Sequence, residues 1–414
     1  MTATEAISQI RPDDRVMLGM REPATLVRAL VADRPRLNGL RLLVGSTTGG
    51  TYYTDPEVIE DFELSASFVG PSLRPASRTG RLRYIPIHLS QLPIAVERGD
   101  LPVDVALVQV APPDDQGYCS LGLSADWSFD VVRHTKLVIA EVNDQMPRPR
   151  GKNGIHISGI DLLVAASYLP QAWPAAQIGD IERAIGAQVA AIVPNGATIE
   201  VGFGSTSEAI LDALKGHQDL GIHTGSITEG IRRLVEAGAV TGRRKSIDPG
   251  LIVAATVRGS TDFYAWVAAH PDIRIRPFSY THDVRVIARI ERFVALNTAL
   301  QIDLTGQVNA EAIGSSPIGG VGGQVDWIRG AQYAPGGVSI HAVASRARGK
   351  HSAIVADLGP GAPVTTARSD VHWVVTEYGA VNLRGKSLGD RARALAEIAH
   401  PDFRGDLRRV AERW

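Results

Sequence analysis

Short runs of branched apolar residues alternate along this chain with segments whose apolar positions recur at helical spacing. Arg41-Leu42-Leu43-Val44-Gly45 predicts a buried strand that stops at a turn, and Val103–Val110 and Lys136–Val142 predict two more. Between them lie helical patches such as Glu22–Leu30. There Glu22 and Pro23 suit a first turn, and Leu26, Val27 and Leu30 share one face. Strands that are apolar along their whole length, separated by helices, argue for mainly parallel sheet covered on both sides.

The pattern then restarts. Ser167–Gly179 is rich in Pro and Ala, with Pro170 and Pro174, and predicts a crossing between two lobes. After it, Asp180–Val193 reads as a helix, Thr198–Gly204 as a strand entering a glycine loop, and Ser207–Leu214 as a helix. The opening of the chain has the same sequence of parts: Arg15-Val16-Met17-Leu18-Gly19, then a helix from Glu22. The expected fold is therefore α/β: two similar, open, mainly parallel-sheet lobes, residues 1–175 and 176–414, with an active-site cleft between them. Open sheets of this kind place ligands at the carboxyl ends of their strands.

Composition narrows the function without naming it. A chain of 414 residues has room for about two or three domains. It can bury a core large enough to need neither disulfides nor a structural metal. Hydrophobic content of 44% and charged content of 21% are ordinary for a soluble globular enzyme. Lys+Arg of 43 against Asp+Glu of 44 leaves a net charge of -1, which gives no reason to expect a nucleic-acid or membrane partner. Any site for a polyanion must be local. The single cysteine, Cys119, excludes an intrachain disulfide and a cysteine-based metal cluster, and no metal is expected. The amino terminus lacks a basic segment followed by an apolar run, and no stretch of about 18 apolar residues occurs, so the expected location is the cytoplasm.

Several segments carry a more specific signal. Gly221-Ile222-His223-Thr224-Gly225-Ser226-Ile227-Thr228-Glu229-Gly230 is one. Others, in order, are Arg83–Ser90, Pro112–Tyr118, Glu141-Val142-Asn143, Leu304–Val308, Gly319–Asp326, Thr376–Gly379, Leu383–Ser387 and Ile398–Phe403. Together they resemble the acetyl-CoA hydrolase/CoA-transferase family, the class I CoA transferases, of the 4-hydroxybutyrate CoA-transferase-like kind. The resemblance spans nearly the whole chain. It implies a two-lobed α/β enzyme, a homodimer, that takes a small-molecule acyl-CoA between its lobes, with coenzyme A as a thioester substrate and no tightly bound cofactor.

The resemblance also marks a gap. In the family the first segment usually reads Gly-Ile-His-Thr-Glu-Met, and its Glu is the nucleophile that takes the acyl group and then CoA, splitting one transfer into two. That position here is Gly225. The nearest carboxylate is Glu229. If the segment continued as a helix, Glu229 would lie about one turn and about 6 Å further on, too far to stand in without remodelling. A second departure falls in Tyr280-Thr281-His282-Asp283, which resembles the family's Tyr-Thr-Asn-Asp. The resemblance implies that the Asn orients the carboxylate; here it is His282. An imidazole titrates near neutrality and is a natural general base. Glycine in place of the carboxylate leaves room beside it. His223 is expected to position its segment.

The electrostatic part of the site is expected to persist. Gly319–Gly323 presents four glycines in five positions, and such a loop can offer backbone N–H groups to an oxyanion. It can equally serve a tight turn. The resemblance implies a donor near Gly322, with Gly320 and Gly323 lining the site. Gly202 and Gly204 lie between a strand and a helix, and the resemblance implies that this loop lines the acyl-CoA binding site. Gln109, at the end of a predicted strand, is a second polar group for the carbonyl. Arg258, Arg346, Lys350 and Lys386 are candidate phosphate partners, although Ala353 stands where relatives often carry an Arg.

Three functions follow. One is a glutamate-independent reaction on a CoA thioester or related acyl group, such as hydrolysis, with His282 as base. The second is a conventional CoA transferase or acetyl-CoA hydrolase that uses another carboxylate. The third is an acyl-CoA-binding protein without turnover.

Overall fold

The computed structural model describes residues 1–45, 52–347 and 351–414. They form two units. The first holds Met1–Pro174, Ala254–Thr281 and Pro317–Gly322; the second holds Ala175–Val253, His282–Ser316 and Gly323–Trp414. The change of unit after Pro174 falls inside the Pro- and Ala-rich stretch, which contains neither helix nor strand. Two later segments return to the first unit, a feature that no local composition signals.

The first unit is built on a seven-stranded sheet. Its order is Leu82–Tyr84, Phe62–Ala66, Leu40–Val44, Arg15–Leu18, Val105–Val110, Leu137–Asn143, Leu162–Ala166. Every neighbouring pair is parallel. Strand Val105–Val110 is buried at all six residues, as a strand covered on both faces must be. Alternation of side chains sends Val16 and Leu18 into one hydrophobic cluster, with Leu26, Val27 and Leu30 of helix Ala24–Ala32, and sends Met17 into another, with Ala106 and Val108. The returning segment is tied in by the Ala125 N–H, which donates to the Ala255 carbonyl at 3.1 Å, and by the Val257 N–H, which donates to the Leu123 carbonyl at 2.8 Å.

In the second unit, strands run in the order Gly221–Ile227, Thr198–Val201, Phe293–Thr298, Val338–Ala342, Trp373–Thr376 and Gly379–Asn382. The first five are parallel, and the last is an antiparallel edge. Helix Gln324–Tyr333 packs on Phe293–Thr298 and Val338–Ala342. Helices Asp180–Ala190 and Ser205–Ala213 meet closely at Gly186, where a Cβ would stand 2.7 Å from the Ala209 carbonyl oxygen.

Both sheets share one rule. The earliest strand of each unit, Arg15–Leu18 or Thr198–Val201, lies inside the order, with the strand that follows it at once on one side and a much later strand, Val105–Val110 or Phe293–Thr298, on the other. The strand order therefore reverses between Arg15–Leu18 and Val105–Val110, and again between Thr198–Val201 and Phe293–Thr298. Chain leaving the two strands on either side of such a point diverges and opens a crevice at their carboxyl ends. Among the described residues, no helix is long and apolar enough to cross a membrane, and no group of three His, Cys, Asp or Glu side chains is arranged to hold a metal ion.

Leu107 is fully buried in the middle of the first sheet. Leu107→Ala is expected to cost about 2–5 kcal/mol through lost burial and a residual cavity, read as a lower midpoint in denaturant unfolding followed by circular dichroism.

Candidate active site

Strand register assembles the candidate site in the second unit. Thr198 is level with Gly221 and Ile199 with Ile222. Beyond Ile222 the two strands stay joined through the Thr224 side chain, whose hydroxyl donates to the Val201 carbonyl at 3.0 Å and accepts from the Val201 N–H at 3.3 Å. On the other side Glu200 is level with Ala295 and Val201 with Leu296, the Gly202 N–H donates to the Leu296 carbonyl at 3.4 Å, and Asn297, the next residue of that strand, is level with His341. Period-two alternation puts residues 198 and 200, 221, 223 and 225, 293, 295 and 297, and 339 and 341 on one face. Helix Gln324–Tyr333 covers that face, with Trp327 and Ala331 in one cluster with Phe293 and Ala295.

His282 reaches this face from the residue before the Asp283 cap, whose carboxylate accepts from the Arg285 N–H at 2.8 Å and starts helix Val284–Ile287. That helix leans on Gln324–Tyr333 at Gly330, where a Cβ would stand 2.4 Å from Ile287 Cγ2. The imidazole of His282 is 2% exposed and lies 4.4 Å, centre to centre, from the indole of Trp327 at 49°. A Cβ on Gly323 would stand 2.4 Å from its Cδ2, and one on Gly225 would stand 3.3 Å from its Nε2 and 3.7 Å from Trp327 Cζ2. The ring is thus wedged between two glycines and an indole. The sequence expectation that residues 225 and 282 are neighbours matches the geometry. Gly225 is not in the left-handed region, so its backbone accepts an L side chain, and a side chain there meets a tight but not prohibitive contact.

Electrostatics differ from the sequence expectation. Burial, with His223 beside it, pushes the His282 pKa down to about 3, so the ring does not titrate near neutrality. It is neutral and dry. His223 is fully buried, edge-on to Trp327 at 6.0 Å and to Phe293 at 6.4 Å. Burial likewise lowers His341 to about 4.

The sequence reading missed Glu200. It is 3% exposed, its Oε2 accepts from Asn297 Nδ2 at 3.1 Å, and burial lifts its pKa to about 8. The available signal was a lone acid inside the apolar strand Thr198-Ile199-Glu200-Val201, since carboxylates are seldom fully buried.

The remaining candidates are placed as follows. The segment containing Gly225 is a strand through Ile227, and Glu229 opens the next helix, Glu229–Glu236. The helical spacing assumed for Glu229 is therefore corrected: an extended backbone rises about 3.3 Å per residue and carries Glu229 beyond the level of Gly225. Gly202 and Gly204 lie where expected, between a strand and helix Ser205–Ala213, with Gly204 at φ +113°.

In the first unit, Gly320 is pressed against the backbone of Ser67 and Phe68, where a Cβ would stand 2.5 Å from the Ser67 carbonyl oxygen. The Gly319 and Gly322 carbonyls accept from the N–H groups of Val69 and Leu89, and Gly322 turns at φ +58° in open space. Gln109, also in that unit, donates its amide to Glu141 Oε1 at 3.0 Å and to the Tyr168 hydroxyl.

Among the basic candidates, Arg258 is buried and stacks over Trp173 at 4.4 Å; burial, then Arg21, lowers it to about 10. Arg346 pairs with Asp402 and Lys386 is exposed. Lys350 lies outside the described residues.

Comparison with known proteins settles the family. Residues 1–172 match the acetyl-CoA hydrolase/transferase N-terminal domain, and residues 259–411 match the acetyl-CoA hydrolase/transferase C-terminal domain. The chain belongs to the acetyl-CoA hydrolase/transferase family. It is 42% identical over 410 residues to the 4-hydroxybutyrate coenzyme A transferase of Clostridium kluyveri, covering 98% of this chain and 96% of that one. Among solved structures, RipA from Yersinia pestis superposes with a TM-score of 0.92 at 34% identity over 100% of this chain and 97% of that one. The 4-hydroxybutyrate CoA-transferase of Porphyromonas gingivalis gives 0.84 at 33% identity, again over 100% and 97%. As an acetyl-CoA hydrolase/transferase relative, this chain acts within an enzyme family whose substrates are CoA thioesters, and it carries glycine at the position the resemblance assigns to the nucleophile.

A depressed histidine pKa has a sign. The neutral ring is favoured in the fold, so its contribution to stability is complete above the unfolded value of 6.5 and is lost as pH falls towards about 3. His282→Asn is therefore expected to lose less stability than the wild type on acidification from about pH 7 to about pH 4, measured as guanidinium midpoints at the two values.

Proposed function

We propose that this chain turns over a small acyl-CoA without a carboxylate at position 225, with His282 as the base that activates water or another small nucleophile. The observation that carries this reading is the wedge itself: a neutral imidazole fills the edge of the space that Gly225 leaves. In the simplest form, Nε2 accepts a proton from water as the oxygen attacks the thioester carbonyl. The tetrahedral intermediate then expels the CoA thiolate, which takes the proton from the imidazolium, leaving a carboxylic acid and CoA. A base held at about 3 is weak in the empty site. It gains basicity as negative charge develops on the thioester oxygen beside it. The backbone N–H near Gly322 is the proposed partner of that oxygen. Gly202 and Gly204, before helix Ser205–Ala213, would line the acyl-CoA site.

The named activities of relatives set the substrates to try first: 4-hydroxybutyrate coenzyme A transferase in Clostridium kluyveri and butyryl-CoA:acetate CoA-transferase in Anaerostipes caccae. We take short-chain acyl-CoA thioesters as the class, and a homodimer in the cytoplasm as the working form.

His282→Ala should lower kcat/KM for acyl-CoA roughly 10²–10⁴-fold; full activity in that variant refutes the role of the imidazole. Borohydride added during turnover should leave the wild-type mass unchanged, because no enzyme thioester forms. A reduced carboxylate in the wild type would instead establish a conventional transferase using another acid. Because the backbone at 225 accepts a side chain, Gly225→Glu should gain transfer to a carboxylate acceptor with ping-pong kinetics and become trappable by borohydride.

A further inference from the structure

The face that holds His282 contains a second proton-carrying group that the scheme above does not use. Glu200 lies two residues before Gly202 on the strand between those that carry Gly225 and Asn297. Its Oε2 accepts from the amide of Asn297, two residues further along the neighbouring strand than its register partner Ala295. The carboxyl group is thereby held across the point where strand order reverses, on the strand beside the one that carries Gly225. Gly202, Gly225 and Asn297 are only partly buried, while Glu200 is 3% exposed.

We infer that Glu200 is a further catalytic residue: a carboxylic acid held neutral, which donates its O–H to the thioester oxygen as charge develops there. The inference rests on the acyl-CoA reading above and deepens it. Asn297 donates to one oxygen and fixes the orientation of the carboxyl group; the proton resides on the other. The neutral state follows from the surroundings. The titratable neighbours on this face are His223, His282 and His341, with Asp326 buried on the covering helix and Lys245 buried beside Gly221 and Thr198, its ammonium donating to the Ile222 carbonyl. His282 and His341 are both held neutral by burial. The Asn297 amide and the backbone at Leu296 favour the ionised carboxylate, but burial outweighs them and places the pKa at about 8. His282 is shifted the opposite way, so at neutral pH one group is a proton acceptor and the other a proton donor. Two groups driven apart in this manner divide the acid and base roles of a site.

The test uses the full-length protein, short-chain acyl-CoA substrates and three forms: wild type, Glu200→Gln and Glu200→Leu. Wild-type kcat should fall as pH rises through about 8, because the ionised acid no longer donates. Glu200→Gln keeps the shape, the Asn297 contact and an N–H donor, so it should retain substantial activity with no loss through that pH range. Glu200→Leu should lose roughly 10²–10³-fold in kcat at every pH. A pH-independent wild type, or full activity in Glu200→Leu, overturns the inference. So does a dead Glu200→Gln together with borohydride-trapped label on Glu200 of the wild type, which makes the residue a nucleophile. Should the wild type turn over no acyl-CoA, the acyl-CoA reading fails. Infrared difference spectra of wild type minus Glu200→Gln then judge the acid separately: a carboxylic-acid band present at neutral pH and lost above about 8 supports the neutral state, and its absence at neutral pH overturns it.

Discussion

A dry imidazole pressed against an indole constrains everything else in the second unit's site. His282 can occupy its place because residue 323 lacks a side chain, whose Cβ would stand 2.4 Å from the ring, and because Trp327 presents a flat face 4.4 Å away; a Cβ at residue 225 would crowd the ring at 3.3 Å without excluding it. Trp327 in turn depends on Phe293, which lies on the central strand 6.1 Å from it. The packing that removes water from the ring also decides its charge. Desolvation disfavours the imidazolium, and His223 adds to that cost rather than relieving it.

That constraint gives the family resemblance a chemical meaning. A carboxylate at 225 would be a charged neighbour for residue 282, and an amide tolerates such a neighbour without titrating. With glycine at 225 an imidazole borders the position, and a buried carboxyl group stands on the next strand. In the proposed reaction, proton transfer is divided between His282, on the loop before a short helix, and Glu200, on the strand beside the glycine. Both are neutral, which spares the face the cost of burying their charges.

The reversal of strand order explains why these groups collect where they do. Residues separated by nearly a hundred positions, Glu200 and Asn297, meet because the chain returns to place Phe293–Thr298 beside Thr198–Val201. The first unit follows the same order, and there the corresponding point is occupied by a different arrangement, in which Gln109 is held by Glu141 and Tyr168. Glu141 Oε2 also accepts from the N–H groups of Thr25 and Leu26 at the start of helix Ala24–Ala32. A carboxylate whose oxygens are occupied in this way fixes a helix. Glu200 is instead held by the Asn297 amide of the neighbouring strand.

The sequence by itself determined the alternation of apolar strands and helices, the crossing near Pro174, the glycine loop after Thr198–Val201 and the paired departures at Gly225 and His282. Each of these is local: it follows from side-chain periodicity, from proline and glycine, or from a short run of residues matched to a family. It did not determine that Gly221–Ile227 is a strand, since a run containing two glycines and a histidine has no clear period. That misjudged Glu229. Nor did it determine the charge state of His282 or the importance of Glu200. Burial and register between distant segments set those, because a pKa answers to the solvent and dipoles around a group, and only the folded sheet brings Glu200, Asn297 and Gly225 to one edge.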